Sequence, residues 1–104
     1  MRETIDVAVV DNDPWSARAI AQWISNRDAG FRVVWRTTSA AEAVHRCLYS
    51  GQSPDVLVLD MALGGTSGSS VCAKIRQRSA TPGIIGITAY DPARYADELA
   101  AAGA

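Results

Sequence analysis

The chain has 104 residues, 48% apolar and 20% charged, with a net charge of −1, the balance of a single folded domain rather than a disordered segment. Its nine Arg are scattered and Lys74 is its only Lys, which argues against a nucleic-acid surface, since phosphate binding needs clustered cations. No apolar run reaches the roughly 20 residues that span a bilayer, and the N-terminus lacks the apolar stretch of a secretory signal. Cys47 and Cys72 form no Cys-x-x-Cys, so neither a disulfide framework nor a metal–thiolate site is expected and a reducing cytoplasm is the expected setting.

Ile5 to Val10 is an apolar run that ends in Asp11-Asn12-Asp13, the pattern of a strand buried on both faces. Asp13-Pro14 then opens a helix to about Asn26, since Asp can cap free N–H groups and Pro suits the first helical position. Its expected inner face carries Trp15, Ala19, Ile20, Trp23 and Ile24. Phe31 to Arg36 reads as an edge strand, with Phe31, Val33 and Trp35 on one side and Arg32, Val34 and Arg36 on the other. Ser39-Ala40-Ala41-Glu42 is a capping box that opens a helix to about Tyr49, with Ala40, Val44, Cys47 and Leu48 inward.

Val56 to Leu59 is a third strand and ends abruptly in Asp60. Gly64, Gly65, Ser67 and Gly68 make the loop behind it, and Ser69 to Arg78 reads as a helix with Val71, Cys72 and Ile75 inward. Gly83 to Ile87 is a fourth strand, closed by Thr88-Ala89-Tyr90. Asp91-Pro92 starts a last helix faced by Tyr95 and Leu99. This strict strand–helix alternation implies a parallel sheet with right-handed crossovers and helices on both faces.

In such a sheet Asp11, Asp60 and Thr88 end three strands on one rim, where open α/β sheets place their ligands. Carboxylates crowded there raise one another's pKa unless a cation lies between them. Mg²⁺ prefers hard oxygen ligands and commonly joins carboxylates to a phosphate. An Asp so screened can attack phosphorus and form an acyl phosphate. Thr88 can donate to a phosphoryl oxygen, and the glycine loop lets backbone N–H groups come close.

Val-Val-Asp-Asn-Asp-Pro (9–14), Pro-Asp-Val-Leu-Val-Leu-Asp (54–60) with Gly68 eight residues on, and Ile-Thr-Ala-Tyr (87–90) together resemble the receiver domain of two-component response regulators. The match runs over nearly the whole chain. It implies a flavodoxin-like α/β fold, a three-layer sandwich with parallel sheet order 2-1-3-4, in a phosphorylated signalling domain rather than an enzyme with a substrate of its own. Asp60 becomes the phosphoacceptor for a sensor histidine kinase with Mg²⁺ bound. Asp11, Asn12, Asp60 and the Ala62 backbone carbonyl become the metal site, and Thr88 the phosphoryl contact and switch. Ala62 and Tyr90, two residues beyond Asp60 and Thr88, flank the route of water, and a bulky Tyr90 implies slow dephosphorylation.

The chain departs from the family in three places. Asn12 stands where a second acid usually ligates the metal, which removes one negative charge. Gly64 stands where Pro is common. The fifth strand and helix of the family, with an active-site Lys, are missing, so residues 1–104 are expected to be a C-terminally incomplete receiver. Ile84, Ile85 and Ile87 would then form a bare apolar edge open to self-association, with the fourth-helix face a second candidate surface. A non-phosphorylated pseudo-receiver that binds proteins is an alternative. So is a haloacid dehalogenase-like phosphatase using Asp11 as nucleophile and Asp13 as general acid, although Asp13 reads better as a helix cap. His45 is expected on the surface. Trp15, Trp23 and Trp35 are expected in the core.

Overall fold

The computed structural model describes residues 4–63, 65–88 and 93–104, with the side chains of 93–95 outside that description. Gly64, Tyr90 and the Asp91-Pro92 helix start therefore lie outside the described residues, as does the Tyr95 side chain. Strands Ile5–Val10 (β1), Phe31–Thr37 (β2), Val56–Asp60 (β3) and Gly83–Ile87 (β4) alternate with helices Pro14–Arg27 (α1), Ala40–Leu48 (α2), Gly68–Arg76 (α3) and Ala93–Ala101 (α4). All strand pairs are parallel, as expected from the alternation, and the order is β2-β1-β3-β4, as the resemblance implied. Among the described residues, no helix is long and apolar enough to cross a membrane.

The helix starts follow from local chemistry. Asp13 caps α1, its carboxylate accepting from the Trp15 N–H at 3.1 Å and from the Ser16 hydroxyl at 3.1 Å. Ser39 caps α2 by accepting from the Glu42 N–H at 3.1 Å, but the reciprocal half of the capping box is used otherwise. The Ser39 N–H donates to Thr37 Oγ1, and the Glu42 carboxylate pairs with Arg46 at 3.0 Å. Ser67 caps α3 through the Ser70 N–H.

The sheet separates two apolar layers. On one face α2, α3 and α4 cover Ala8, Val10, Leu57, Leu59 and Ile84; on the other, α1 covers Val7 and Val9. Alternation along each strand sends neighbouring residues to opposite layers, which is why both faces of β1 and β3 are apolar. Arg76, at the end of α3, ties the larger layer together. Its guanidinium donates to the carbonyls of Ser79, Pro82 and Gly103, joining the 79–82 turn and the end of α4 to α3.

Three sequence expectations about packing are corrected. Trp15 and Trp23 do not face the core: they are 73% and 62% exposed, and the buried face of α1 is Ala17, Ala21 and Ile24 with Ile20 beside them. Exposed Ala19 does not belong to that face either. Ala17, Ala21 and Ile24 recur every three to four residues and form the stripe packed on Val7 and Val9, which leaves the separate Trp15, Ala19 and Trp23 stripe outside the core. Val33 and Trp35 do not share a side. The β1–β2 register shifts between Val7 and Ala8, skipping Val34, so Val33 packs under α1 while Trp35 joins the opposite layer. One inserted residue reverses the alternation beyond it. On α2, Ala43 is fully buried although it was not among the expected inner residues. Trp35 itself is buried as expected, and its Nε1–H donates to the Gln52 carbonyl at 2.9 Å.

The bare apolar surface also differs from expectation. Ile84 is buried, whereas Ile85 is 54% exposed and lies with Ile87 on the α1 side of the sheet. There a groove of about 480 Å³ runs between α1 and β4, lined by Trp23, Phe31, Val58 and Ile85 among other apolar side chains.

Cys47 and Cys72 are both buried free thiols. Burial pushes the Cys47 thiol from 9.0 up to about 11. A raised folded-state pKa means that the folded chain holds this proton more tightly than the unfolded one. The associated stability is fully present below pH 9 and is lost as pH rises through 11, a change of about 2–3 kcal/mol. Denaturant titrations at pH 8.5 and 11.5 should show this loss in the parent, over and above any loss in Cys47→Ala.

Candidate phosphoacceptor site

Asp11, Asp60 and Thr88 come together at the carboxyl ends of β1, β3 and β4. Parallel pairing fixes their relative heights: Val10 lies beside Leu59, and Asp60 beside Ile87. The Met61 N–H then donates to the Ile87 carbonyl at 2.9 Å, which locks the chain behind Asp60 against the end of β4. One cavity of about 570 Å³ is lined by Asp11, Asn12, Asp13, Asp60, Ala62 and Thr88, with Ser16, Ala19, Ile20 and Ile87 completing the wall. Five of the six residues expected at the site thus meet in one place; the sixth, Tyr90, lies outside the described residues.

The acids differ in environment. Asp11 is buried at 7% exposure, while Asn12 and Asp13 are exposed and Asp60 is half-buried. Burial raises the Asp11 carboxyl above its ordinary range; the Asp13 N–H, donating to Asp11 Oδ1 at 2.9 Å, acts against this, and the nearby Asp60 and Asp13 carboxylates and a hydrogen bond with Asp60 add to the rise. Two carboxyl groups therefore sit within hydrogen-bonding reach of each other with little water on one of them. That is the arrangement a bound cation would relieve.

The loop behind Asp60 is tightly built. The Ala62 N–H donates to Asp60 Oδ1 at 3.1 Å, Ala62 and Ser67 form an isolated antiparallel bridge, and the Gly68 N–H donates to the Met61 carbonyl at 3.0 Å. Met61 is buried, and its side chain fills the space between Gly68 and Gly86.

Residues 7–104 match the response regulator receiver domain. The chain belongs to the receiver domain family. Among its relatives, this receiver is 31% identical over 87 residues to the positive alginate biosynthesis regulatory protein of Pseudomonas aeruginosa, a match covering 84% of the receiver and 34% of that protein. The receiver thus spans about a third of that relative's length. A two-component response regulator of the LuxR family from Aurantimonas sp. SI85-9A1 superimposes with a TM-score of 0.87 at 29% identity, over 97% of the receiver and 70% of that chain. The response regulator domain of Thermotoga maritima CheB shares the fold, with a TM-score of 0.83 at 22% identity over 97% of the receiver and 74% of that chain.

The residues expected to hold a metal would offer hard oxygens only: the Asp11 and Asp60 carboxylates, the Asn12 amide and the Ala62 carbonyl. Among the described residues, no three His, Cys, Asp or Glu side chains form a metal-holding group, and Asp13 is turned to capping α1. Oxygen donors with two carboxylates still suit Mg²⁺, which keeps several waters. Asp13, held by the Trp15 N–H and the Ser16 hydroxyl, is poorly placed as the general acid of a phosphatase. Sequence reasoning missed Ser16 and Met61. Ser16 was legible as a polar residue three positions after a cap; nothing local marks Met61, whose role arises from packing between separate elements.

Proposed function

We propose that this receiver accepts a phosphoryl group on Asp60 from a sensor histidine kinase in the cytoplasm, and thereby controls an output such as transcription. The observation that carries the reading is the meeting of Asp11, Asn12, Asp60, Ala62 and Thr88 in one cavity of a receiver-family chain. Asp11, Asn12, Asp60 and the Ala62 carbonyl would hold Mg²⁺, which supplies charge neutralisation at the transferring phosphoryl group.

An Asp60 carboxylate oxygen attacks phosphorus, the P–O bond forms as the P–N bond to the donor imidazole breaks, and the imidazole nitrogen leaves with the electron pair. Positioning and electrostatics carry this step. The Ala62 N–H fixes the carboxylate by holding its Oδ1, and Asp11 supplies negative charge from a partly dehydrated position. Thr88 contacts the phosphoryl oxygens and reports their presence to β4 and α4. Ala62, with only a methyl group, leaves its side of Asp60 open to water.

Intact-mass measurement after incubation with acetyl phosphate and Mg²⁺ tests the reading. A single phosphoryl adduct, mapped to the peptide carrying Asp60, is expected; no adduct would leave a receiver that works through binding alone. Asn12→Asp restores a carboxylate to the cation site and should tighten Mg²⁺ binding roughly tenfold, measured by the Mg²⁺ concentration that half-saturates labelling.

Self-association through the β4 edge is a second part of the proposal, favoured by the exposure of Ile85 on an outer strand free of charge. An uncharged apolar edge is a ready template for pairing. Sedimentation velocity should show a concentration-dependent dimer in the parent that Ile85→Lys abolishes.

A further inference from the structure

The guanidiniums of this receiver are mostly engaged within the fold. Arg32 pairs with Asp6 at 2.8 Å and Arg46 with Glu42 at 3.0 Å. Arg76 donates to three carbonyls, and Arg27 and Arg78 lie over the Trp23 and Tyr49 rings at 5.0 and 5.7 Å. Arg18 and Arg36 are the exceptions: among the described residues, neither has an acid, a carbonyl or a ring as its partner. They belong to different elements, yet both line one cavity of about 520 Å³, where α1 and α2 begin and β2 ends.

The same cavity holds an open aromatic face. Trp23 lies under Arg27 and Trp35 under Arg46. Trp15, which lines the cavity, is 73% exposed, and among the described residues no guanidinium covers its ring. The local charge is positive. Glu42, the acid in this wall, is already paired with Arg46, and Asp13 lines the first cavity but not this one. Helix α2 begins between Thr38 and Glu42, which brings its positive end to the same wall. Two unpaired cations, the Thr38 hydroxyl and an uncovered indole thus meet in one place.

Two guanidiniums in one cavity suit a group with about two negative charges and several acceptor oxygens, as a phosphate monoester has. An open indole face suits a flat ring laid upon it. The volume lies within the range of about 300–1,000 Å³ usual for small-molecule sites. We propose that this cavity is a binding site for a free mononucleotide, with Arg18 and Arg36 on the phosphate, Thr38 donating to one of its oxygens and the base stacked on Trp15. The site uses neither Asp60 nor a bound cation, so it is independent of the phosphoacceptor reading.

Equilibrium dialysis of the full chain against AMP, GMP, CMP and UMP tests this, with EDTA present so that no cation holds phosphate at the acids of the first cavity. At least one nucleotide should bind one to one with a Kd of about 100 µM or tighter. Its nucleoside and inorganic phosphate should each bind tenfold or more weakly, since neither reaches both the guanidiniums and the indole. Arg18→Gln, Arg36→Gln and Trp15→Leu should each weaken binding about tenfold. Trp23→Leu, which removes an indole already covered by Arg27, should stay within twofold of the parent. All four positions are exposed, and an unchanged thermal unfolding midpoint checks that each variant is folded. No binding of any of the four nucleotides at about 1 mM, a cavity variant that binds as the parent does, or inorganic phosphate bound as tightly as the nucleotide would each overturn the site.

Discussion

Gly68→Ala should destabilise the receiver by about 3 kcal/mol, lower its Tm by roughly 15 °C and impair Asp60 at the same time. A Cβ at this position would lie 2.5 Å from the Asp60 carbonyl oxygen and 2.9 Å from Met61 Cα. Both are backbone atoms of the segment that presents Asp60, and neither can rotate away. The chain would have to shift either the start of α3 or the end of β3. The first breaks the hydrogen bond from the Gly68 N–H to the Met61 carbonyl; the second moves Asp60 itself. Gly86→Ala is the informative comparison. Its added Cβ would meet Leu99 Cδ2 at 2.5 Å and Met61 Sδ at 2.8 Å, the far ends of flexible side chains, so a cost of about 1 kcal/mol is expected as they adjust. Thermal unfolding of the two variants side by side checks this. Equal losses would mean that the contact with the Asp60 backbone carries no special cost.

Asp60→Asn should abolish the phosphoryl adduct completely while leaving the fold intact. An amide oxygen is a far weaker nucleophile than a carboxylate and cannot form the acyl phosphate. Asp60 is half-buried at the end of β3, and the Ala62 N–H that donates to Oδ1 can donate equally to an amide oxygen. The variant also removes one of two neighbouring carboxylates. Because Asp60 contributes to the raised pKa of Asp11 through its charge and a hydrogen bond, its neutralisation relieves a repulsion, and Asp60→Asn should be at least as stable as the parent. The paired measurement is intact mass after acetyl phosphate treatment together with the urea midpoint. A persistent adduct would move the acceptor to another residue, and a large loss of stability would give Asp60 a structural role.

Much of this molecule could be read from local chemistry. The apolar runs ending at Val10 and Leu59 announced strands covered on both faces, and both are central strands of the observed sheet. The Asp13-Pro14 and Ser39 starts were legible because capping depends on residues one to three positions apart. The convergence of Asp11, Asp60 and Thr88 was legible too, since parallel strands present their carboxyl ends on one rim. Each of these inferences needs only the chain's own periodicity or the general rules of parallel sheets.

Tertiary structure alone decided which apolar residues meet which. Trp15 and Trp23 have helical spacing as regular as that of Ala17 and Ala21, but the stripe that packs on Val7 and Val9 is Ala17, Ala21 and Ile24, which leaves the indoles outward. The skipped residue in β2 sends Trp35 to the opposite layer from Val33, and no local pattern marks Val34 as the extra residue. Gly68 looked like a loop glycine and proves to be a position where the start of α3 leaves no room for a Cβ against the Asp60 backbone. The sequence determined the elements, their caps and the acids at their ends, because those depend on short-range bonding and the period of each element. Packing decided depth, face and clearance, because those depend on the volumes of side chains brought together from distant parts of the chain.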